Sequence, residues 1–279
     1  MRAQALLAEG ISALRAAGIE GAARDARWLM AYALGISQDR LTLALSDPVT
    51  DKQMAAFHDA ISARAQRQPV AQITGQRLFW GRSFRVTPDV LDPRPETETL
   101  IAAALDEPFA TVLDLGTGSG VILTTLLAER TEATGTGIDL SHAALEVAQE
   151  NAARMGVSER AHFVLSDWFT EVSGTFDLIV SNPPYISRDE LGALAPETRD
   201  WEPRMALVPT GCDGTGLAAY RIIAAQAGAH LTTGGRLIVE IGLEQGADVL
   251  ALFENAGLKD GVLRDDLTGR PRIAMATAP

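Results

Sequence analysis

The chain has 279 residues, of which 47% are hydrophobic, a composition typical of a globular protein with a sizeable core. Its formal charge of −12 argues against a protein whose whole surface follows nucleic-acid phosphate. Residues 1–92 carry 11 basic and 9 acidic residues, whereas residues 93–279 carry 13 and 27. The single cysteine, Cys212, excludes an internal disulfide and a cysteine-rich metal site. We therefore expect a reduced, cytoplasmic protein, without a membrane span because no apolar run is long enough.

Residues 1–72 predict a small bundle of three or four short helices. This part of the chain is rich in Ala, Leu and Arg, and its apolar residues recur every three to four positions, as in Leu7, Ile11 and Leu14. Gly35 is typical of the end of a helix. The bundle is followed by a change of pattern, which indicates a separate structural unit.

Residues 73–92 predict a β-hairpin connector, since they mix alternating polar and apolar residues with glycines. Residues 93–279 begin with a proline-stiffened turn and a helix. Strands then alternate with helices of about 10–15 residues, which predicts βαβ units and a mainly parallel, doubly wound α/β sheet. We expect seven strands, with an antiparallel pair at the C-terminal edge.

A glycine-rich loop follows the first of these strands. Gly116, Thr117, Gly118, Ser119 and Gly120 form a G-x-G-x-G pattern that leads into a helix. Glycine allows a ligand to approach the backbone closely, and the N-terminus of a helix offers free N–H groups. The dinucleotide pattern G-x-G-x-x-G would need a further glycine directly after the last of these, where the chain has valine. The loop is therefore a candidate site for a different nucleoside ligand.

Acidic residues at three strand ends favour S-adenosylmethionine as that ligand. Asp114, just before the loop, suits a cation better than a pyrophosphate. Asp139 ends the next strand, about 20 residues after Gly116, at the usual distance for an acceptor of ribose hydroxyls. Asp167 can accept from an adenine amino group and Trp168 can cover the ring, although Trp168 is equally a candidate core residue. The alternative is a tight turn with a helix-capping aspartate.

The tetrapeptide Asn182-Pro183-Pro184-Tyr185 follows a later strand. Ligands of a doubly wound sheet bind beyond the carboxyl ends of the strands, so this turn should face the cofactor. The prolines hold Asn182 extended, and the Asn182 oxygen and Pro183 carbonyl can each accept one N–H of a planar amino group on which Tyr185 stacks. The turn thus predicts methyl transfer to an amide or exocyclic amino nitrogen, rather than an ordinary proline turn. The four histidines are scattered, and we expect no metal.

Several segments resemble a known enzyme family. The segments are PVAQITGQRLFWG, LDPRPETE, VLDLGTGSG, SDWF, SNPPYI and PTGCDGTGLAAYR. They are similar to the HemK/PrmC family, the release factor glutamine N5-methyltransferases, whose fold is the class I S-adenosylmethionine-dependent methyltransferase fold. The resemblance implies methyl transfer to the glutamine of the Gly-Gly-Gln motif in bacterial class I peptide chain release factors. It places Gly116 to Gly120 and Asp139 at the cofactor, with Trp168 beside the adenine, and Asn182 to Tyr185 at the glutamine amide.

The PRPETE segment would lie near the mouth of the active site in such an enzyme. We predict that Arg94 and Glu98 bind the substrate, with Glu96 close by. The alternative is that these acids only begin a helix. Asp92 departs from the family pattern, which has an apolar residue there, and this departure affects the expected local packing.

The resemblance also implies a division of labour along the chain. We expect a substrate-docking domain over 1–72, the hairpin connector over 73–92 and the methyltransferase domain over 93–279, although the first domain could instead only shield the sheet. The expected partner is a release factor, with no direct contact to nucleic acid, and we expect a monomer. Two other functions stay open. One is an amino-methyltransferase acting on adenine or guanine, for which the basic surface is missing; the other is a protein that binds the cofactor without turnover.

Overall fold

The computed structural model describes residues 1–211 and 214–279. Cys212, and with it part of the PTGCDGTGLAAYR segment, lies outside the described residues. The chain forms two compact units, of which the first comprises Met1–Gln76 and Ala195–Trp201 and the second comprises Arg77–Leu194 and Glu202–Pro279. The first unit therefore includes a late segment that the predicted range 1–72 did not contain.

Helices and strands account for most of both units. In chain order, the helices are α1 (Ala3–Ala16), α2 (Ala22–Leu34), α3 (Leu41–Ala44), α4 (Asp51–Ala65), α5 (Val70–Thr74), α6 (Glu98–Leu105), α7 (Val121–Glu129), α8 (His142–Met155), α9 (Pro196–Trp201), α10 (Arg204–Leu207), α11 (Ala218–His230) and α12 (Gly246–Asn255). The strands are β1 (Gln76–Phe79), β2 (Arg82–Arg85), β3 (Thr111–Leu115), β4 (Thr134–Asp139), β5 (Ala161–Leu165), β6 (Phe176–Ser181), β7 (Leu231–Glu240), β8 (Lys259–Asp265) and β9 (Pro271–Thr277).

The N-terminal unit is a helical bundle with its own core. Helices α1, α2 and α4 bury one apolar face each, and Leu6, Leu29 and Phe57 are fully buried between them. Gly10 allows close packing there, because a Cβ at that position would lie 2.5 Å from the Phe57 ring. Thr50 and Gln53 form a capping box that begins α4. The predicted bundle is confirmed, with the short helices α3 and α5 in addition.

Helix α9 belongs to this bundle although it lies more than a hundred residues further along the chain. The Glu197 carboxylate accepts from the buried Arg64 guanidinium at 2.9 Å, and Arg64 also donates to Asp25 at 2.8 Å. The Gln72 amide donates to the Trp201 carbonyl at 2.8 Å. Because Arg64 is buried, its charge needs both carboxylates, and these contacts fix α9 in the N-terminal unit.

The connector forms the predicted two-stranded hairpin from β1 and β2. Its two-residue turn has Trp80 at φ 49° and Gly81 at φ 70°, the left-handed pair of a type I′ turn. The Trp80 backbone N–H donates to the Glu98 carboxylate at 2.8 Å. This bond ties the tip of the hairpin to the start of α6.

The second unit is built on a seven-stranded sheet in the order β5-β4-β3-β6-β7-β9-β8. The first five strands of this order are parallel, and β9 runs antiparallel to both β7 and β8. Apolar side chains cover each face of the sheet, where α6 to α8 form one core and α11 and α12 the other. The predicted α/β doubly wound fold, including its antiparallel C-terminal pair, is confirmed.

Two features of the sheet position the site. Strand order reverses between β3 and β6, which is the switch point where ligands of such sheets bind. The parallel register pairs Ser181 of β6 with Val239 of β7, so Asn182, which follows β6, lies beside Glu240, the last residue of β7.

The described ranges contain neither a candidate membrane-spanning helix nor a candidate metal-binding cluster. None of the helices there is long and apolar enough to span a bilayer. Nor do three or more His, Cys, Asp or Glu side chains of these ranges gather in a way that could hold a metal ion.

Candidate active site

A cavity opens at the carboxyl ends of β3, β4, β5 and β6. Its empty space amounts to about 1170 Å³, part of it open to solvent. Most of the predicted site residues line it, and the structure thus brings together three motifs that are far apart in the sequence. These residues are Arg94, Gly116, Thr117, Gly118, Ser119, Asp139, Asp167, Trp168, Asn182 and Pro184.

The glycine loop presents backbone to this cavity. A Cβ at Gly116 or Gly118 would meet no atom within 4 Å, so both glycines border open space. Their φ angles of 69° and 54° are left-handed, which favours glycine. Gly120 differs, because a Cβ there would lie 2.9 Å from Ala148 Cβ in α8. The first two glycines therefore leave room for a ligand, whereas the third allows the helices to pack.

Asp139 holds the loop from the neighbouring strand. One carboxylate oxygen accepts from the Gly118 N–H at 2.9 Å, and the other accepts from the Ser141 N–H at 2.8 Å. Burial raises the pKa of Asp139, and the backbone N–H groups oppose that rise. Each oxygen keeps a further lone pair, so the carboxylate can still accept from two ligand hydroxyls.

Asp114 is buried behind the loop and does not line the cavity. One of its oxygens accepts from the Thr117 hydroxyl at 2.6 Å and from the Leu123 N–H at 3.3 Å. Burial raises its pKa to about 7, against the effect of the Thr117 hydrogen bond. Asp114 thus fastens the loop to the start of α7, and its contact with a ligand stays a prediction.

The end of β5 supplies one wall of the cavity. Asp167 is exposed there, and Trp168 is half-buried with a left-handed φ of 49°. The Ser166 hydroxyl donates to the Trp168 carbonyl at 2.7 Å, which holds this unusual backbone. Trp168 packs against the core and also lines the cavity, so both interpretations of the residue have structural support.

The Asn182 side chain is held by two residues that the motif does not contain. Its Nδ2 donates to Glu240 Oε2 at 2.9 Å and to Thr97 Oγ1 at 3.2 Å. Thr97 Oγ1 in turn donates to Glu240 Oε2 at 2.6 Å. Glu240 is fully buried, and burial raises its pKa to about 7 while the Thr97 hydrogen bond opposes the rise. The sequence signal was one acidic residue within the otherwise apolar strand segment LIVEIG.

The rest of the NPPY turn is fastened from behind. Pro183 and Tyr185 do not line the cavity, and Tyr185 packs against the core with its hydroxyl 3.5 Å from Glu240 Oε1. Burial and the adjacent Glu240 raise the pKa of Tyr185 above its ordinary value. The Tyr185 carbonyl accepts from Gln245 at 3.1 Å, and a Cβ at Gly216 would lie 2.2 Å from that oxygen. The stacking of Tyr185 on a substrate stays a prediction.

The PRPETE segment divides its charged residues between two roles. Arg94 lines the cavity and donates to both oxygens of the buried Glu202, at 2.8 and 2.7 Å. Burial raises the pKa of Glu202 to about 7, and the Arg94 charge opposes this. Glu98 does not line the cavity, and its carboxylate accepts from the Trp80 N–H in the hairpin turn, so its contact with a substrate stays a prediction. Asp92 is buried, with Arg77 at 3.5 Å and one oxygen unpaired among the described residues.

The segment after Glu202, which contains the short helix α10, closes one side of the cavity. The first part of this segment carried no sequence motif, whereas Pro209 and Thr210 begin the PTGCDGTGLAAYR segment that carries the family resemblance. The residues of this segment that line the cavity are Pro203, Met205, Ala206, Pro209 and Thr210.

Both parts of the chain match known protein families. Residues 5–75 match the PrmC N-terminal domain, and residues 93–195 match the methyltransferase small domain. Among solved structures, a methyltransferase from Pyrococcus furiosus superposes with a TM-score of 0.54 at 14% identity, over 78% of this chain and 98% of that one. The 16S rRNA N2 G1207 methyltransferase of Thermus thermophilus, in complex with AdoMet and guanosine, gives a TM-score of 0.51 at 20% identity, over 73% and 50%. These likenesses show the fold.

Full-length relatives are more specific. A release factor glutamine methyltransferase of Cereibacter sphaeroides is 58% identical over 279 residues, covering 100% of this chain and 99% of the relative. Those of Rhodospirillum rubrum and Agrobacterium fabrum are 44% and 43% identical, over 97% and 93% of this chain and 83% and 92% of their own lengths. With this identity along its whole length and both family domains present, the chain belongs to the release factor glutamine methyltransferase family.

Proposed function

We propose that this protein transfers a methyl group from S-adenosylmethionine to the side-chain amide nitrogen of the glutamine in the Gly-Gly-Gln motif of bacterial class I release factors. The observation that carries the proposal is the Asn182 carboxamide. Its nitrogen donates to Glu240 and Thr97. Asn182 itself lines the same cavity as the glycine loop. One cavity thus joins a nucleoside-type site to an acceptor for amide N–H groups.

The cavity fits the cofactor in three respects. Gly116 and Gly118 leave open the space that a Cβ would fill, so an amino acid and sulfonium group can lie against the loop. Asp139 keeps lone pairs for the two ribose hydroxyls, and Asp167 and Trp168 form a wall for the adenine. When bound, S-adenosylmethionine supplies the methyl group on a sulfonium cation.

Positioning is the main task of the protein, because the lone pair of an amide nitrogen is delocalised and reacts poorly. In this proposal, Asn182 Oδ1 accepts one N–H of the glutamine amide. The acceptor that we predict for the other N–H is the carbonyl of the adjacent Pro183, although Pro183 itself does not line the cavity. The two acceptors hold the nitrogen opposite the methyl–sulfur bond and favour its pyramidal form. Transfer forms the nitrogen–carbon bond and breaks the carbon–sulfur bond, whose electrons remain on sulfur to give S-adenosylhomocysteine. The nitrogen then releases one proton to water.

The test is methyl transfer from labelled S-adenosylmethionine to a purified release factor. We expect label on the peptide that contains the Gly-Gly-Gln motif and none when that glutamine is replaced by alanine. Label that is absent, or unchanged by the replacement, would refute the proposal. Ribosomal and transfer RNA form a second arm, and label there instead would favour a nucleic-acid methyltransferase.

We further propose that the N-terminal unit docks the release factor. Trp28 and Tyr32, one turn apart in α2, are 39% and 45% exposed, and half-exposed aromatic residues are enriched in protein interfaces. In the full-length protein, the double variant W28A/Y32A should raise the KM for the release factor about tenfold and leave kcat within about twofold. An unchanged KM would refute this docking role.

A further inference from the structure

The carboxyl ends of β6 and β7 place an amide and a carboxylate next to each other. The register of the two strands brings Asn182 and Glu240 together, since the preceding residues, Ser181 and Val239, are paired. Glu240 is the last residue of its strand and is only 1% exposed. A carboxylate in this position loses its hydration and therefore needs donors from the protein.

Three side chains offer such donors. Thr97 Oγ1 donates to Glu240 Oε2 at 2.6 Å, and Asn182 Nδ2 donates to the same oxygen at 2.9 Å. The Tyr185 hydroxyl lies 3.5 Å from the other oxygen. Glu240 itself does not line the cavity, whereas Thr97 and Asn182 do. Any influence of Glu240 on a substrate must therefore pass through these two residues.

The chemistry of a carboxylate decides which end of the Asn182 amide faces it. In its ionised form, Glu240 only accepts hydrogen bonds, so in that form the amide nitrogen points towards Glu240 and the oxygen away from it. Within residues 1–211 and 214–279, no group donates to Asn182 Oδ1. Glu240 is thus the group that holds the orientation of this amide. Without a carboxylate beside it, the carboxamide can rotate by half a turn and present its NH2 group to the cavity, where it would repel the N–H groups of a substrate amide.

We propose that Glu240, acting with Thr97, is a positioning residue that fixes the orientation of the Asn182 carboxamide, so that its oxygen faces the substrate amide. This inference rests on the proposed function, because Asn182 is there the acceptor for the glutamine N–H. The inference adds two residues to the proposed site, Glu240 at the end of β7 and Thr97 in the turn before α6, and both lie outside the NPPY motif.

The direct test is Glu240→Gln in the full-length protein. Glutamine has nearly the same shape, but its own amide can donate to Asn182 Oδ1 and thereby permit the wrong orientation. We expect kcat to fall about ten- to a hundredfold, as for other partners that orient a functional side chain. The Kd for S-adenosylmethionine and the KM for the release factor should stay within about twofold, because neither binding surface contains Glu240.

A matched control replaces another carboxylate of the same sheet by its amide, at the amino end of β6 and therefore at the opposite end of the strands from the cavity. Asp177, near the start of β6, accepts from the backbone N–H groups of Ala110 and Thr111 and lies away from the cavity. Asp177→Asn should leave kcat unchanged. An equal fall of kcat in both variants would assign the effect to general loosening of the sheet and overturn the proposal.

The threonine pair keeps the proposal testable if the glutamate variant does not fold. Thr97→Val keeps the shape of the side chain but removes the hydroxyl, and should lower kcat about tenfold, whereas Thr97→Ser should keep it within about twofold. When Thr97→Val is combined with Glu240→Gln, kcat should fall little further, because both substitutions act through the orientation of the Asn182 carboxamide. Equal kcat in the valine and serine variants would overturn the proposal.

Failure of the inference differs visibly from failure of the proposed function. If the wild-type protein does not methylate the release factor, the function itself is refuted. If the wild type does so and Glu240→Gln has the same kcat, the function stands and only the positioning role is refuted.

Discussion

The cofactor side of the cavity is made mainly of backbone, whereas the amide side is made of side chains from distant parts of the chain. On the cofactor side, Gly116 and Gly118 leave space, and the Asp139 carboxylate holds the loop from the neighbouring strand. On the amide side, Thr97, Asn182 and Glu240 form one hydrogen-bonded cluster. Under the proposed function, the first side recognises the cofactor by shape and the second orients the substrate amide, so variants of the two sides should separate cofactor binding from turnover.

The largest separation is expected for Asn182→Ala. This change removes the acceptor for the substrate amide and should lower kcat about a hundred- to a thousandfold, as for other groups that stabilise charge in a transition state. The Kd for S-adenosylmethionine, measured by calorimetry, should stay within about threefold, since the glycine loop and Asp139 are untouched. A parallel loss of cofactor affinity would show that the two sides are not separable.

The opposite separation is expected for Asp139→Ala. The variant loses the acceptor for the Gly118 and Ser141 N–H groups and for the ribose, so the Kd for S-adenosylmethionine should rise about thirty- to a hundredfold. At saturating cofactor, kcat should recover to within about threefold of the wild type. A kcat that stays low at saturation would give Asp139 a part in the reaction itself.

Two glycine variants sharpen the account of the loop. Gly118→Ala strains a left-handed residue but extends into open space, so it should weaken cofactor binding about tenfold and cost roughly 1–2 kcal/mol of stability. Gly120→Ala adds a contact of 2.9 Å with Ala148 to the same strain and should cost roughly 2–4 kcal/mol. Thermal unfolding with and without cofactor measures both effects. Equal stability of the two variants would contradict the assigned roles.

The smallest effect concerns stability and pH. The pKa of Glu240 rises from 4.5 in the unfolded chain to about 7 in the folded one, because burial disfavours its charge. Between these values the folded state holds a proton that the unfolded state has released, so this group lowers stability as pH rises. Glu240→Gln removes that cost, and its Tm relative to the wild type should increase by a few degrees between about pH 5 and pH 8. The charged or titratable groups around Glu240 are Arg94, Glu96, Tyr185, Tyr220 and Arg272.

The pH series has an internal check. Asp114 and Glu202 also have pKa values raised to about 7 by burial, so they contribute to the pH dependence of both proteins and cancel in the difference. A difference in Tm that is constant with pH would show that Glu240 does not titrate in this range.

The two sides also differ in how far the sequence could predict them. The glycine loop, Asp139 and Asn182 stand at the ends of recognisable strands, and the rule that ligands bind at those ends was enough to bring them together. The contact of Glu240 with Asn182 could not be predicted in this way, because it depends on the pairing of Ser181 with Val239 in neighbouring strands. The order of strands along the sheet fixes such a pairing, and hydrophobic periodicity does not reveal it.

Burial and local partners give structural contacts to two residues that the sequence predicts at the site. Asp114 looked like a ligand contact because it precedes the loop, yet it lies fully buried and accepts from Thr117. Glu98 belongs to a charged motif, but its carboxylate meets the Trp80 N–H at the hairpin turn. Spacing along a chain shows which side chains are near a site; it does not show which of them are already engaged in holding the site together.

The position of α9 in the N-terminal unit affects how the protein is synthesised and how it can be divided into fragments. That unit is discontinuous in the chain, so it cannot be completed until residue 201 has been made. A fragment that ends at residue 76 lacks Glu197 and leaves Arg64 with Asp25 as its single carboxylate partner. A fragment that begins at residue 77 carries α9 without the bundle to which it belongs. No single cut therefore yields both units whole.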